Sequence, residues 1–400
     1  MTARTPLPLE GITVVSLEQA VAAPFATRQL ADMGARVVKI ERPDGGDFAR
    51  GYDASVRGYS SFFVWLNRSK ESVSLDLKTA DGRAILERLI GRADVFVQNL
   101  APGAADRLGL DAASLRARDP RLVVCNVSGY GPGGPYRDKR AYDLLVQAEA
   151  AVPAITGTPE TPSKVGFSVA DISAGMYAFS NVLLALFARE RSGHGATLDV
   201  SLFDSIAEWM SAPAYFTRYG GREPMRAGLH HATIAPYGPV RCADGYDVIV
   251  AIQNQREWQR FCARVLRDAS LSADARFSTV SARVEHRTEL DALVGAACAK
   301  RTRDELEREL DDAEIAHARA NDVAAFVAHP QLAARERWRD VESEVGTLAA
   351  LVPPFAGLGE PRMDPIPTLG EHTARVLAEV GYDEASIAAI GASGAVKVAA

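Results

Sequence analysis

The chain has 400 residues, about two domains in length, and its 47% apolar and 24% charged residues suit a globular protein with a large core, which excludes a disordered, coiled-coil or collagen-like chain. With 45 Lys and Arg against 51 Asp and Glu the net charge is -6, so no general positive field gathers nucleic acid or an anionic membrane, and an anionic ligand must be held by local cations. Cys125, Cys242, Cys262 and Cys298 lie far apart without metal-ligand spacing, which points away from a metal site or a disulfide framework and toward a reducing cytoplasm.

The first residues, MTARTPLPLEG, lack the apolar core of an export signal. ITVVSL (12–17) then reads as a strand, a helical stretch follows to about Gly34, and RVVKIE (36–41) is a second strand, together a βαβ unit. SVSLDL (72–77) is a third strand, 81–93 a helix, DVFVQNL (94–100) a fourth strand and RLVVCNVSGYG (121–131) a fifth, which predicts a doubly wound parallel sheet. The uncharged stretch Ile172–Ala188 carries Ser173, Gly175, Ser180 and Asn181 and is short for a bilayer. It reads as the body of a buried helix from about Asp171 to Arg191, stopped at Ser192-Gly193. ATLDVSL (196–202) and a helix from Phe203 close a large domain over 1–205. From about Gly220 the texture changes, and YGPVRCADGYDVIVAIQN predicts an antiparallel hairpin turning at Asp244-Gly245, with helices around Glu257, Glu289 and Arg303 after it. That is a smaller α+β domain over 220–325. The proline-rich PPFAGLGEPRMDPIP and a final amphipathic helix, Glu371–Val380, predict that 330–400 return to the large domain.

A βαβ start invites a dinucleotide, yet the first turn, SLEQAVAAP, has no glycine where GxGxxG would let a backbone approach a pyrophosphate. GYGPGGPY follows a strand but opens no helix and reads as a structural turn, and neither GxSxG nor HExxH occurs. Phosphate-sized cations do follow the strands: Arg42 after the second, Lys78 after the third and Arg107 beyond the fourth. Each alone is an ordinary surface charge, whereas together they would face one crevice, because the carboxyl ends of a parallel sheet share an edge. Asp171 opens the long helix and admits two readings. It is a plain helix cap, or it is a reactive carboxylate kept ionised by the first-turn amides and the helix dipole.

These segments together resemble the class III CoA-transferases, the group of formyl-CoA transferase, carnitine CoA-transferase and the related α-methylacyl-CoA racemases. The matching pieces run nearly end to end and include PLEGITVVSLEQAVAAPFATRQLADMGARVVKIERPDGGD, NRSKESVSLDLK, DVFVQNLAPGAADRLGL, VVCNVSGYGPGGPY, AYDLLVQA, VADISAGMYA, GHGATLDVSLFDS and LGEHTARVL. The resemblance implies an α/β fold with a Rossmann-like large domain, a smaller α+β domain and an interlocked homodimer. It implies that Asp171 is the catalytic carboxylate. It further implies CoA contacts at Val21, Ala22, Arg42, Leu75, Asp76, Leu77, Lys78, Asn99, Leu100, Ala101, Arg107, Arg140, Ala141, Tyr142 and Asp143. Coenzyme A would be a thioester substrate, with no permanently bound cofactor and no metal.

Such chemistry passes CoA between acids through an aspartyl anhydride and an aspartyl-CoA thioester. The racemase branch uses the same Asp with a second proton carrier, and it carries His where this chain has Ala141 and Glu where it has Gln253, so transfer is favoured over racemisation. The glycine-rich loop of the formyl and oxalate enzymes has no counterpart near VAIQNQREW, while RAGLHHATIAPYGP is closer to members handling itaconate, mesaconate, citramalate or succinate. Arg226, His230, His231 and Gln253 are the candidates for pairing the distal carboxylate, against ordinary linker and core roles. The sequence reading is thus a cytoplasmic CoA-transferase moving CoA from succinyl-CoA or a similar thioester to a short dicarboxylic acid. An intramolecular C1–C4 transfer within mesaconyl-CoA, a racemase and a non-catalytic CoA-binding protein stay open, and neither nucleic acid nor membrane is an expected partner.

Overall fold

Strands written in β-branched runs have no wet face, and here they form a parallel sheet covered on both sides. In a computed structural model, which describes residues 6–355 and 357–398, the strands are β1 (Thr13–Leu17), β2 (Arg36–Glu41), β3 (Lys70–Ser74), β4 (Val95–Gln98), β5 (Val123–Ser128) and β6 (Thr197–Ser201). They lie in the order β3-β2-β1-β4-β5-β6, every adjacent pair parallel. Val14 sits opposite Val37 on one side and Val95 on the other, so the order reverses at β1, and a crevice opens there at the carboxyl ends. Residues 1–5, 356, 399 and 400, which fall within the expected N-terminal segment, domains and proline-rich stretch, lie outside the described residues.

The expected third strand, 72–77, instead begins at Lys70 and ends at Ser74. The Leu75 N–H still donates to the Glu41 carbonyl, but the Asp76 N–H turns away to the carbonyl of Ala395, so Asp76–Lys78 run on into a loop at the crevice rather than continuing the ladder. Two helices then place the site. The first spans Ala22–Asp32, with Pro24 in its opening turn, where no intrahelical N–H is required. The long helix spans Val169–Ser192, two residues earlier than expected, and ends at Gly193 in the left-handed conformation that glycine adopts without strain. By length and composition that helix could cross a bilayer, yet Ala170, Ala174, Ala178 and Val182 are buried within the protein. An added Cβ at Gly175 would lie 2.7 Å from the carbonyl oxygen of Ala22, so this glycine sets how closely the two helices pack.

Packing divides the chain into two units. One takes the residues up to Ala151, Val165–Ala212 and those from Ala333 onward; the other takes Val152–Lys164 and Pro213–Leu332. The expected unbroken run over 1–205 is therefore interrupted, because the Arg226 guanidinium and the Gly228 N–H hold the carbonyls of Thr158, Pro159 and Gly157 to the second unit. In the first unit the C-terminal segment docks on β3, where Ser72 N–H donates to His372 Nδ1 and His372 N–H returns to the Ser72 carbonyl. The helix there is Thr373–Glu379, and it is not the last: Glu384–Ala392, capped by Asp383 and burying Ile387 and Ile390, follows it. In the second unit β7 (Tyr237–Arg241), β8 (Asp247–Ala251) and β9 (Ala316–Arg319) form an antiparallel sheet over a core of Trp258, Phe261, Phe277 and Leu290.

Candidate active site

A cavity of about 550 Å³ occupies the crevice at the carboxyl ends of β1, β2 and β3. Arg42, Leu75, Asp76, Leu77, Lys78 and Leu100 all line it, so six of the expected CoA positions come together. Glu18, Glu41 and Asp47 line it too, which sequence reasoning did not foresee. These acids are compensated from within. Glu18 Oε1 accepts from Lys70 Nζ at 2.6 Å, Asp47 Oδ2 from Lys39 Nζ at 2.7 Å, and Glu41 takes a paired bond from Arg50 at 2.8 and 2.9 Å. Burial alone would push the Glu18 carboxyl up, but Lys70 and Lys39 outweigh it and hold the carboxyl below its ordinary range. For Lys70 complete burial, aided by the Lys39 charge, outweighs the Glu18 carboxylate and pushes it down to about 8. The cations at the mouth are different: the Arg42 side chain is 58% exposed, with the Gly46 carbonyl and Asp44 as its partners among the described residues, and Lys78 is exposed. A pyrophosphate or 3′-phosphate entering this cavity would meet exposed cations, Lys78 and an Arg42 whose carboxylate partner, Asp44 at 3.7 Å, is itself in solvent.

The turn from β1 into the first helix is fixed by side chains rather than by glycine. Asn99 clamps Gln19 twice, its Oδ1 accepting from the Gln19 N–H at 2.9 Å and its Nδ2 donating to the Gln19 carbonyl at 2.8 Å. The Ala20 N–H donates to Asp47 Oδ1 at 3.0 Å. Ala20 itself has φ 63°, a left-handed conformation costing a non-glycine residue about 1 kcal/mol. Val21 then begins the helix with no side chain capping it, and the N–H groups of Val21, Ala22 and Ala23 find no acceptor among the described residues. Of the expected CoA contacts, Val21 and Ala22 thus offer free amides, whereas the Asn99 side chain is committed to the turn.

Asp171 is the third residue of the long helix, half-buried, one helical turn before Gly175 and so on the same face that meets the first helix. It does not cap that helix. The cap is Asp143, whose Oδ1 accepts from the N–H groups of Ala170 at 2.8 Å and Asp171 at 3.4 Å, while Oδ2 accepts from Gln147 Nε2 at 2.6 Å. Two expectations are corrected by this arrangement. The Asp143 carboxylate is a helix cap beside Asp171 rather than a side chain free for CoA, and the amides expected to keep Asp171 ionised are already taken. Burial first, and the Asp143 charge second, push the Asp171 carboxyl up to about 7. Tyr52 completes the surroundings: burial, Asp47, Asp171 and Tyr142 together push its hydroxyl up to about 12.

The remaining candidates are less gathered. Arg140 and Tyr142 are exposed, and Ala141 packs against Gly129, where any side chain would collide with it. Ala101 lines a separate cavity of about 350 Å³ over β4 and β5, and Arg107 is exposed at the end of a short helix beside it. In the second unit the Arg226 guanidinium is committed to carbonyls at 2.9 and 2.7 Å. His230 lies over Gly238 with Nδ1 3.9 Å from Asp291, and His231 stacks on Tyr237 at 5.1 Å. Gln253 is exposed, its N–H held by Glu257.

Comparison with known proteins adds a second line. The model of CoA-transferase family III matches residues 9–373. A succinate–glutarate CoA-transferase of Agrobacterium fabrum is 36% identical over 384 residues, covering 93% of this chain and 96% of its own. A succinyl-CoA–D-citramalate CoA-transferase of Chloroflexus aurantiacus is 32% identical over 335 residues, 83% of each chain. Among solved structures, a CAIB/BAIF family protein from Brucella suis superposes with a TM-score of 0.82 at 34% identity, covering 94% of this chain and all of that one.

Proposed function

The chain belongs to CoA-transferase family III, and from that premise we propose that it moves CoA from succinyl-CoA, or another short dicarboxyl-CoA, to a short dicarboxylic acid such as itaconate, mesaconate, citramalate or glutarate. The names of the two relatives support the substrate class, since each pairs succinate or its CoA thioester with a second dicarboxylate. The observation that supports the mechanism is Asp171 one turn before Gly175, the residue at which the long helix meets Ala22 of the uncapped first helix, with Asp143 capping the turn behind it. Ionised Asp171 attacks the donor thioester carbonyl, expelling CoA thiolate and forming a mixed anhydride. The thiolate then attacks the aspartyl carbonyl, releasing the donor acid and leaving an aspartyl-CoA thioester. The acceptor carboxylate attacks that carbonyl, displacing the thiolate and forming a second anhydride. The thiolate completes the exchange at the acceptor's carbonyl and returns Asp171 as a carboxylate.

The same burial and charge that raise the Asp171 pKa assist this chemistry. Acylation turns a crowded anion into a neutral anhydride, so whatever opposes ionisation favours the acyl-enzyme, and a more basic carboxylate is the stronger nucleophile. The Val21, Ala22 and Ala23 amides are the donors for each tetrahedral oxyanion. Arg42 and Lys78 hold CoA phosphates, and Leu75–Leu77 and Leu100 its adenosine end. Ala141 and Gln253 cannot carry a proton, which supports transfer over racemisation. The reading includes an interlocked homodimer in the cytoplasm, where four buried, unpaired cysteines would persist.

Hydroxylamine tests the proposal. Added with an acyl-CoA, it should inactivate the wild type and leave a hydroxamate on the peptide containing Asp171, while Asp171→Ala should be inert and unmodified. Turnover that survives in Asp171→Ala would sink the mechanism. Mass spectrometry of CoA products from succinyl-CoA and a dicarboxylate panel identifies the acceptor.

A further inference from the structure

Turns that bring a first helix toward a phosphate or a carbonyl normally use glycine where the backbone goes left-handed. This chain places Ala20 there, with φ 63°, and an alanine does not stay in that region unless the surroundings hold it. What holds it is identifiable. The Ala20 N–H donates to Asp47 Oδ1 at 3.0 Å, the same oxygen accepts from Ala49 N–H at 2.9 Å, and Asp47 Oδ2 accepts from Lys39 Nζ at 2.7 Å. The Asp47 N–H is in turn anchored on Glu41 Oε2 at 3.0 Å. Both side chains of the ion pair are fully buried, and Lys39 sits within β2 itself, so the clamp is tied to the sheet rather than to a mobile loop. The strained residue lies directly between Gln19, locked by Asn99, and Val21, where the uncapped amides begin.

We propose that Asp47, braced by Lys39, is a positioning residue of the transferase: it holds the Ala20 peptide left-handed and thereby aims the Val21, Ala22 and Ala23 amides at the thioester carbonyl presented to Asp171. The assignment rests on the transferase reading above. It gives the buried charges at the floor of the crevice a task in turnover that burial and pairing alone do not supply, because a stable fold could carry apolar residues there.

The decisive feature is that the need for the clamp disappears if residue 20 is glycine. Three variants with succinyl-CoA and the accepted dicarboxylate therefore separate positioning from stability. Asp47→Ala removes the acceptor and should lower kcat at least tenfold with KM for the acyl-CoA changed less than threefold. Asp47→Asn keeps an oxygen for the Ala20 N–H but loses the ion pair, so it should melt at lower temperature yet keep kcat within about threefold. Adding Ala20→Gly to Asp47→Ala should restore kcat to at least half that of Ala20→Gly alone. Where Asp47→Ala does not fold, the pair Lys39→Met with Asp47→Ala removes the unpaired buried charge and takes its place, again with and without Ala20→Gly. Full activity in the clamp-less variants, or a loss that glycine does not recover, or kcat that follows melting temperature across the series, overturns the positioning role. A wild type that transfers no CoA overturns the underlying reading instead.

Discussion

Replacing Asp143 by Asn isolates one of the two forces on the Asp171 carboxylate. The ordinary Asp value of 3.8 rises to about 7 at Asp171, a difference worth ~4 kcal/mol, with burial the larger cause and the Asp143 charge the smaller. A like charge a few ångströms away accounts for roughly 1–2 pKa units, and the lower figure applies in a site half open to solvent. Asp143→Asn leaves an oxygen to accept from the Ala170 N–H, so the helix keeps its cap, and it loses the bond from Gln147 at about 1 kcal/mol of stability. Because kcat/KM reports the free enzyme, its half-maximal pH should fall from about 7 to about 6. Normalised to its own plateau, the rate at pH 6 should rise from ~0.1 to ~0.5 of maximum, while the plateau drops because a weaker base is a poorer nucleophile. The assay is initial-rate CoA transfer between pH 5 and 9. An acid limb that stays in place or moves to higher pH would show that the Asp143 charge does not act on Asp171, and the coupling of cap to nucleophile would fail.

Two further outcomes follow from the same geometry. Since the folded Asp171 carboxyl binds its proton more tightly than the unfolded one, its cost to stability is absent below pH 4, grows as pH rises and is complete above pH 7. Asp171→Asn should therefore be inactive yet more stable than wild type by on the order of 2–4 kcal/mol at pH 8, with the gap closing at pH 4 in denaturant titrations; a variant less stable at pH 8 contradicts this. Gly175→Ala would ordinarily stabilise a helix by about 1 kcal/mol. Here its Cβ would stand 2.7 Å from the Ala22 carbonyl, so it should destabilise by about 1–3 kcal/mol and lower kcat by pushing Asp171 away from the first helix's amides. Unchanged melting and unchanged kcat would mean that the two helices are not held at that distance.

Much of this architecture is legible in the residues because a buried parallel strand is written as a β-branched run whatever surrounds it. β1, β2 and β6 keep the expected limits to within a residue at each end, and the cations after β2 and β3 reach one crevice because parallel carboxyl ends share an edge. The hairpin turn at Asp244-Gly245 is equally local, Gly245 having φ 81°. Asp171 stands out by position, at the head of an apolar helix, and the family resemblance adds its role.

What residues in sequence cannot supply is the company that distant segments bring. Where β3 ends is decided by the Ala395 carbonyl, and why no glycine is needed after β1 is decided by Asn99, Asp47 and Lys39, three side chains from three other elements. The ionisation of Asp171 shows the difference most plainly. Local rules place helix amides on that carboxylate and predict a strong acid; the fold gives those amides to Asp143, from 28 residues away, and turns the same position into a weak one. Chain chemistry thus determined the strands, the helix and the place of Asp171 at its head, whereas tertiary structure decided the proton affinity of that carboxylate, because desolvation and neighbouring charge depend on what is packed nearby and not on what is adjacent in sequence.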